Sequence, residues 1–384
     1  MLSRNQPHLI IPQPIRGLET GSFAHDTIIR RLPEIARRVI QENNLSAEST
    51  WRINELADEM PLGTIRPLTD IPPADGSFWN TWIIPHLEKN WLEVPWFFAE
   101  EYFYRRVLEA IGYFEDGPHQ GLDPYLYQKE KGLLSSWKSV EELCTQVKTW
   151  EIEKIPLPLQ ISRMLLLDVW GNRSDMSIWS ADDQTQALGK VQNGQDGLLL
   201  NELEEFTTFL HQAGDRLGRV DILVDNAGFE LFCDLLLVDI LLKNEIASSI
   251  HLHLKPYPVF VSDAMKKDVL YTVGQITGSI QSDVHNMGLR LDEWLDGERI
   301  VLEDDRFWIS PFPAWEMPDD LVATLANSDL LISKGDANYR RLLGDCHWDL
   351  TLPFSQIVSY LPSPLLALRV CKSEIVAGLS DEQI

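Results

Sequence analysis

The stretch that most constrains this chain is residues 220–242, which read VDILVDNAGFELFCDLLLVDILL. An apolar, β-branched run ends at Val224, the polar turn Asp225-Asn226-Ala227-Gly228 follows, and a long apolar run without Gly or Pro comes next. This order predicts a buried parallel strand, a tight turn and a helix. Because open α/β sheets bind ligands at the carboxyl ends of their strands, Asp225 and Asn226 are candidate site residues. Their oxygens suit a hard cation, and an N-cap role for Asp225 is an equally good interpretation of the motif alone.

Length and charge limit the classes of protein to consider. With 384 residues, a large α/β domain and a smaller helical one are expected. The formal charge of −25 argues against nucleic acid and anionic membranes as partners, since both need a clustered positive surface. We find no signal-peptide pattern and no uncharged run long enough to span a bilayer. We therefore expect a soluble, cytoplasmic protein, with nuclear access left open and the oligomeric state undetermined.

The cysteines give no sign of a disulfide framework or a zinc site. Cys144, Cys233, Cys346 and Cys371 lie far apart and none forms a CxxC pair. This spacing is typical of a protein from a reducing compartment.

Composition along the chain predicts three segments. Residues 1–20 are rich in proline and are expected to form a loosely ordered arm. Residues 21–155 are expected to form an all-helical N-terminal domain, in which Arg30, Arg31, Arg37 and Arg38 make a solvated helix face. Residues 156–384 are expected to form a Rossmann-like, three-layer α/β domain with a parallel-rich sheet.

The aromatic stretch 78–113 has two interpretations. Rings at helical spacing are usually core, because they bury large areas. Glu100 and Glu101 nevertheless stand next to Tyr104-Arg105-Arg106, and such charged residues also line clefts. The sequence leaves both interpretations open.

A third acidic residue favours the cation interpretation of the central motif. Asp263 follows two strand-like segments, 251–254 and 259–261, and either segment beside the first strand would bring Asp263 to Asp225 and Asn226. Three oxygen ligands plus water suit Mg²⁺ or Mn²⁺. His251 and His253 alternate on one strand face, but a third nitrogen ligand is missing, so core or surface positions are preferred for them.

Two further strand ends carry groups that attract anions. The apolar segment 329–333 opens into Lys334-Gly335-Asp336-Ala337-Asn338-Tyr339-Arg340, where a glycine turn leads into a helix. Backbone amides at such a helix start attract anions. The last predicted strand, 365–370, closes with Arg369 and Lys372. A polar loop at Asn172, Arg173 and Asp175 could also reach a ligand, although an ordinary helix C-terminus explains it as well.

Three superficially similar families do not fit. The segment at Asp225-Asn226-Ala227-Gly228 resembles the NNAG motif of short-chain dehydrogenases, but neither TGxxxGxG nor YxxxK is present. The Gly-rich turn of nucleotide-dependent methyltransferases is also absent, and Asp225 does not begin the DxDx[TV] motif of haloacid dehalogenases.

Taken together, these motifs resemble the damage-control phosphatase family, formerly domain of unknown function 89, over nearly the whole chain. The segments that carry the resemblance are Ser22-Phe23-Ala24, Pro95 to Glu100, Trp170-Gly171-Asn172, Asp225 to Leu231, Lys255-Pro256, Val261-Ser262-Asp263, Lys334 to Arg340, and Arg369-Val370-Cys371-Lys372. The third subfamily is the most similar branch. Its closing signature is Arg-Thr-x-Lys, and here Val370 stands in place of the Thr.

The resemblance implies a metal-dependent phosphatase that acts on small phosphorylated metabolites such as fructose 1-phosphate and fructose 6-phosphate, with Mn²⁺, Mg²⁺, Co²⁺ or Ni²⁺ as the metal. It implies that Asp225, Asn226 and Asp263 hold the metal and take part in catalysis. It also implies substrate contacts from Asp225, Asn226, Lys334, Asp336, Ala337, Asn338, Tyr339, Arg340 and Lys372.

The alternative that the resemblance leaves open is an S-adenosylmethionine-dependent protein-glutamate carboxyl O-methyltransferase, with Glu230 as a cofactor contact. A non-enzymatic scaffold with a relict metal site is the third hypothesis.

Overall fold

Residues 220–223 lie in a strand because the apolar residues among them are buried on both faces of a parallel sheet. The computed structural model describes residues 6–60, 62–70, 75–170, 198–214 and 216–384. Within them, five strands form one sheet in the order β3-β2-β1-β4-β5, and every pair is parallel. The strands are β1 (Leu217–Leu223), β2 (Ala247–His253), β3 (Ile300–Glu303), β4 (Leu330–Lys334) and β5 (Leu365–Leu368). This confirms the predicted α/β class with a parallel sheet.

Helices precede the sheet and cover both of its faces. Those before β1 are α1 (Phe23–Asp26), α2 (Leu32–Glu42), α3 (Ala47–Glu59), α4 (Gly76–Trp82), α5 (Trp96–Ile111), α6 (Leu126–Ser135), α7 (Trp137–Ile152), α8 (Leu157–Trp170) and α9 (Leu203–Gln212), with a π-helical turn at Thr27–Arg31. Those after it are α10 (Phe229–Lys243), α11 (Lys266–Thr277), α12 (Ser282–Asp296), α13 (Asp319–Leu325), α14 (Gly335–Leu342) and α15 (Phe354–Ile357).

Two hydrophobic cores lie on opposite faces of the sheet because side chains alternate along each strand. Leu223 and Leu331 belong to the core that contains the N-terminal helices. Ile222 and Ile332, each one position away, belong to the core that contains α10 and its neighbours. Strand alternation therefore determines which side chains face the N-terminal helices.

Helix α10 is buried along almost its whole length, as its uninterrupted apolar sequence predicts. It begins after Gly228, whose φ of 80° is a conformation that suits glycine, and no side chain caps it. The N-cap interpretation of Asp225 is therefore wrong.

The N-terminal arm is attached to the body of the molecule from residue 14 onward. Pro14 and Arg16 form isolated bridges to Cys346 and Pro95. Ile15 N–H donates to Asp345 O at 2.9 Å. Thus residues 14–16 are held in place, in contrast to the loose order expected for this arm.

The proposed domain boundary at residue 155 does not coincide with the cores. Val140 and Val147 of α7 pack in the same core as α10. Helix α7 thus shares a core with the helices of the α/β domain, and the division at residue 155 remains a proposal about folding units.

The shorter strands were the hardest to predict. Segment 259–261 is a turn and not a strand, and β3 was not predicted. His253 is buried and lies 2.7 Å from Asp221 Oδ1, which confirms the preference for a core histidine. All four cysteines are free. Within the described residues, no helix is long and apolar enough to cross a membrane.

Candidate active site

The candidate site lies where the strand order reverses. From β1 the chain adds β2 and β3 on one side, then crosses to β4 and β5 on the other. In doubly wound sheets this reversal opens a crevice at the carboxyl ends of the two strands where the order changes. Asp225 follows β1 and Gly335 follows β4, and these strands are neighbours through the pair Leu223 and Ser333.

Asp263 reaches this crevice through the loop after β2. Asn226 and Asp263 form an isolated antiparallel bridge. Ala264 N–H donates to Asp225 O at 2.9 Å, and Ala227 N–H donates to Ser262 O at 2.7 Å. The structure thus brings together the three residues expected to meet there, by a loop and not by the strand expected at 259–261.

The loop that carries Asp263 has a strained backbone. Phe260 and Val261 have φ values of 47° and 67°. A β-branched residue rarely adopts this left-handed conformation, and such strain concentrates at functional sites.

These residues line a cavity of about 670 Å³. That volume suits a small metabolite. Its walls come from the N-terminal helices, the loop before Asp263, the start of α14 and the segment after β5. The lining residues are Arg30, Arg31, Glu34, Ile35, Arg38, Gln41, Trp96, Glu100, Tyr104, Asp225, Asn226, Phe260, Val261, Ser262, Asp263, Asp336, Ala337, Arg340 and Lys372.

Asp225 and Asp263 are carboxylates with little access to water, at 5% and 2% exposure. Burial raises the pKa of Asp225 well above its usual range, and the negative charges of Glu230 and Asp263 raise it further, against the opposing effect of Lys372. Burial also raises the pKa of Asp263, against the opposing effect of Lys255. The charged form of each carboxyl group is therefore destabilised, and a cation bound between the two groups would stabilise it.

The donor set fits a hard divalent cation. Asn226 Nδ2 donates to Asp225 Oδ2 at 2.7 Å, so its amide is fixed beside the carboxylate. Asp263 Oδ2 lies 3.4 Å from Lys255 Nζ, which sits closer to Trp308 O at 2.8 Å. Asp263 thus keeps a poorly satisfied oxygen. Among the described residues no group of three His, Cys, Asp or Glu side chains could hold a metal, so the third side-chain ligand here would be the oxygen of Asn226.

Besides Asp225 and Asn226, four of the expected substrate-contact residues line the cavity. Asp336, Ala337 and Arg340 stand at i, i+1 and i+4 on α14, which places them on one helical face. Lys372 is exposed at the cavity from the segment after β5. Asp336 Oδ1 accepts from Arg369 Nε at 2.8 Å and from Lys372 N–H at 3.1 Å, so it ties this segment to α14.

Two other expected contacts on α14 point away from the cavity. Asn338 Nδ2 donates to Lys334 O at 3.0 Å and to Val224 O at 3.3 Å, which fastens the helix to the end of β1. Tyr339 stacks on Phe354 with ring centroids 5.3 Å apart. We therefore correct their expected role from substrate contact to support of α14.

Lys334 needs the same correction. It shares a strand face with Leu330 and Ile332, because alternate residues of β4 point the same way. Its ammonium is 1% exposed and lies 2.7 Å from Asp168 Oδ1 and 2.6 Å from Asp234 Oδ1. Lys334 is thus buried, and its charge neutralises those of Asp168 and Asp234 and does not face the cavity.

Glu230 is enclosed between the site and this buried lysine. It is 6% exposed, accepts from Asn226 Nδ2 at 2.8 Å and lies 3.7 Å from Lys334 Nζ. It is not among the cavity-lining residues. Its placement therefore contradicts the expected contact with a cofactor, and its visible role is to orient Asn226.

Gly335 allows α14 to approach Asp225 closely. Its φ is 81°, and a Cβ built there would lie 1.9 Å from Asp225 Oδ2. Only glycine therefore fits between β4 and α14 while the Asp225 carboxylate keeps its position.

Arg340 is fixed by two ion pairs. It reaches Glu100 Oε2 at 2.6 Å and Asp345 Oδ1 at 2.7 Å, and it lies 3.6 Å above the Trp96 ring. Its Nη2 has no hydrogen-bond partner among the described residues. One donor thus remains for a ligand.

The aromatic stretch satisfies both of its interpretations. Trp96, Glu100 and Tyr104 of α5 line the cavity. Glu101 instead pairs with Arg341 at 2.8 Å, and Arg105 pairs with Asp70 in the helical core.

The sequence interpretation missed the arginines on the N-terminal helices. Arg30, Arg31 and Arg37 are solvent-exposed as expected, but Arg30, Arg31 and Arg38 also line the cavity. Pro33 is the feature of the sequence that could have indicated this, because a proline just after Arg31 disturbs the regular helix there. Asn172, Arg173, Asp175 and the match at Gly171-Asn172 lie outside the described residues.

Comparison with known proteins decides the family. The model of the damage-control phosphatase ARMT1-like domain matches residues 27–384. The chain belongs to the damage-control phosphatase ARMT1-like family. It is 32% identical to damage-control phosphatase ARMT1 of Rattus norvegicus over 97% of this chain and 93% of that protein, and 30% identical to the Homo sapiens protein over 97% and 94%.

Similar chains are also found among solved structures. A DUF89-family protein from Pyrococcus horikoshii superposes with a TM-score of 0.48 and 15% identity, over 92% of this chain and 95% of that one.

Proposed function

We propose that this protein is a metal-dependent phosphatase that hydrolyses phosphomonoesters of small metabolites, with hexose phosphates such as fructose 1-phosphate and fructose 6-phosphate as substrates. The observation that carries the proposal is the convergence of Asp225, Asn226 and Asp263 at the switch point of the sheet, in a cavity that also presents cations. Membership of the damage-control phosphatase ARMT1-like family supports it.

A cation held by Asp225, Asn226 and Asp263 would supply Lewis-acid polarisation of the phosphoryl group, and Mn²⁺, Mg²⁺, Co²⁺ and Ni²⁺ are the candidates. The protein's own groups complete the site. Lys372, at the cavity surface, neutralises phosphoryl oxygens as negative charge develops on them. The start of α14 directs backbone N–H groups and the positive end of the helix dipole toward the same anion.

Arg340 orients the substrate. Its ion pairs with Glu100 and Asp345 hold the guanidinium in one position, and its remaining donor is available to a ligand oxygen. Tyr104 lines the cavity, and its hydroxyl, which like that of any tyrosine is protonated at neutral pH, can donate a hydrogen bond there; burial raises its pKa further.

The test is a panel of substrates and metals. We expect phosphate release from fructose 1-phosphate, fructose 6-phosphate or p-nitrophenyl phosphate with at least one of Mn²⁺, Co²⁺, Ni²⁺ and Mg²⁺, and loss of release on chelation. No release with any metal, or undiminished release after chelation, would refute the proposal.

The two alternatives gain no support from the site. The methyltransferase hypothesis expected Glu230 at a cofactor, and Glu230 is enclosed beside Asn226 and outside the cavity lining. The scaffold hypothesis predicts a folded protein without turnover, which the same panel distinguishes.

A further inference from the structure

One wall of the cavity comes from a single helical face near the N-terminus. Its residues are Arg30, Arg31, Glu34, Ile35, Arg38 and Gln41. Their spacing of three and four positions places them side by side on the π turn and α2.

A π-helical turn sets the position of Arg31 on this wall. Leu32 N–H donates to Thr27 O, five residues back, and Pro33 follows without an N–H of its own. Thr27 Oγ1 is buried and has no hydrogen-bond partner among the described residues. Single π turns weaken helix hydrogen bonding and occur frequently at functional sites. The local irregularity therefore coincides with the stretch that meets the cavity.

The cations of the cavity differ in how they are paired. Arg30 lies 2.6 Å from Asp26 and 3.1 Å from Glu34. Arg340 is also doubly paired, as described above. In contrast, Arg31 is exposed and makes no hydrogen bond or ion pair within the described part of the chain. Among the residues that the structure describes, Arg38 makes one ion pair, with Glu42 at 4.0 Å. Arg31 and Arg38 thus retain their guanidinium donors.

These two arginines and the metal-ligand candidates come from different elements of the cavity wall. Arg31 stands on the π turn and Arg38 on α2, whereas the metal-ligand candidates follow β1 and β2. The largest cationic influences on Asp225 are Lys372 and Lys255. The N-terminal helices thus add cations to the cavity besides those from α14 and the segment after β5.

We propose that Arg31 and Arg38 form a second anion-binding subsite, which selects phosphomonoesters that carry a further carboxylate or phosphate group remote from the phosphate to be removed. This inference rests on the proposed phosphatase function and narrows its substrate class. A guanidinium binds carboxylate and phosphate oxygens through paired hydrogen bonds. In a chain of net charge −25, these two arginines offset the repulsion that a second anionic group would meet in the cavity, since Arg31 is unpaired within the described residues and the ion pair of Arg38 is long, at 4.0 Å.

Matched substrate pairs test the subsite. Glucose 6-phosphate against 6-phosphogluconate tests an added carboxylate, and fructose 6-phosphate against fructose 1,6-bisphosphate tests an added phosphate. We expect the KM of at least one anion-bearing member to be about tenfold lower than that of its partner, the size of effect that one charged hydrogen-bonded contact gives. A response confined to one pair identifies the anion as carboxylate or phosphate.

Variants assign the preference to these residues. The double variant Arg31→Gln with Arg38→Gln is expected to remove the KM ratio within each responding pair, and Arg31→Lys is expected to retain part of it. Arg37→Gln is the control, because Arg37 pairs with Asp58 at 2.9 Å outside the cavity lining and should leave the ratio unchanged. If the melting temperature of the double variant is markedly lower than that of the wild type, the single variant Arg38→Gln is used in its place.

A binding measurement separates this proposal from the proposed function. Protein freed of metal on a chelating resin is titrated calorimetrically with 6-phosphogluconate, fructose 1,6-bisphosphate and their partners. Preferential binding that the double variant loses, without turnover of any phosphoester, would support the subsite and refute the phosphatase. Turnover with equal KM and equal affinity within both pairs would refute the subsite and leave the phosphatase intact.

Discussion

At the scale of single residues, Asp263 distinguishes a metal site from a structural carboxylate. It is 2% exposed, and its nearest cation, Lys255 Nζ, lies at 3.4 Å. Asp263→Asn keeps the shape and removes the charge. The loss of repulsion with Asp225 stabilises the metal-free protein and the loss of attraction to Lys255 destabilises it, so the two effects oppose each other.

We therefore expect the melting temperature of metal-free Asp263→Asn to stay within about 1 °C of the wild-type value, which corresponds to about 1 kcal/mol in a protein of this size. The upward shift caused by Mn²⁺ should disappear, because one of two anionic ligands is gone. Turnover should fall on the order of a hundredfold. Scanning fluorimetry with and without Mn²⁺, together with phosphate release, measures all three. Full activity at limiting metal would show that Asp263 is not a ligand.

At the scale of secondary-structure elements, the approach of α14 to β1 depends on Gly335. Gly335→Ala should lower the free energy of unfolding by about 1 kcal/mol, because alanine is strained in the left-handed backbone conformation. It should also displace the Asp225 carboxylate, because the new Cβ would lie 1.9 Å from Oδ2. Activity should then fall by at least about tenfold, the usual cost of a misplaced catalytic group.

Gly21→Ala is the matched control for that variant. Gly21 has a φ of 93° and no atom within 4 Å of a built Cβ, so it shares the backbone strain without the collision. Equal losses of activity in the two variants, measured as initial rates after confirming folding by circular dichroism, would mean that strain and not the position of Asp225 explains the effect.

The elements that sequence predicts best are those with long apolar runs. β1, α10 and β4 are anticipated because each contains a run of mostly apolar residues. β3 was missed because it has only four residues, three of them half-buried, so it carries little apolar pattern. The sequence predicts that Lys334 lies at the end of a strand, and for that reason we expected it in the cavity. The sequence does not show on which face of β4 its side chain lies. That face depends on which core Leu330 and Ile332 enter, which only the packed sheet reveals.

At the scale of the whole molecule, the buried carboxyl groups make stability depend on pH. Burial raises the pKa of Glu101 to about 7, although Arg341 lies 2.8 Å away, and it raises the pKa of Asp225 well above its usual range. In contrast, hydrogen bonds from His253 and Arg219 outweigh burial and lower the pKa of Asp221 to about 2. The groups with raised pKa keep protons in the native state that the unfolded chain has already released, whereas Asp221 matters only in strong acid.

The sign of the effect follows from this difference in bound protons. The stabilisation from groups with raised pKa is complete below about pH 4 and is lost as the pH rises through about 7, so the metal-free protein should melt at a lower temperature at pH 8 than at about pH 5.5. Mn²⁺ competes with protons for Asp225 and Asp263, so its upward shift of the melting temperature should grow over the same range. Scanning fluorimetry at several pH values, with and without Mn²⁺, measures both trends, and Asp263→Asn should show no growing shift. A Mn²⁺ shift of constant size from about pH 5.5 to 8 would contradict binding at these two carboxylates.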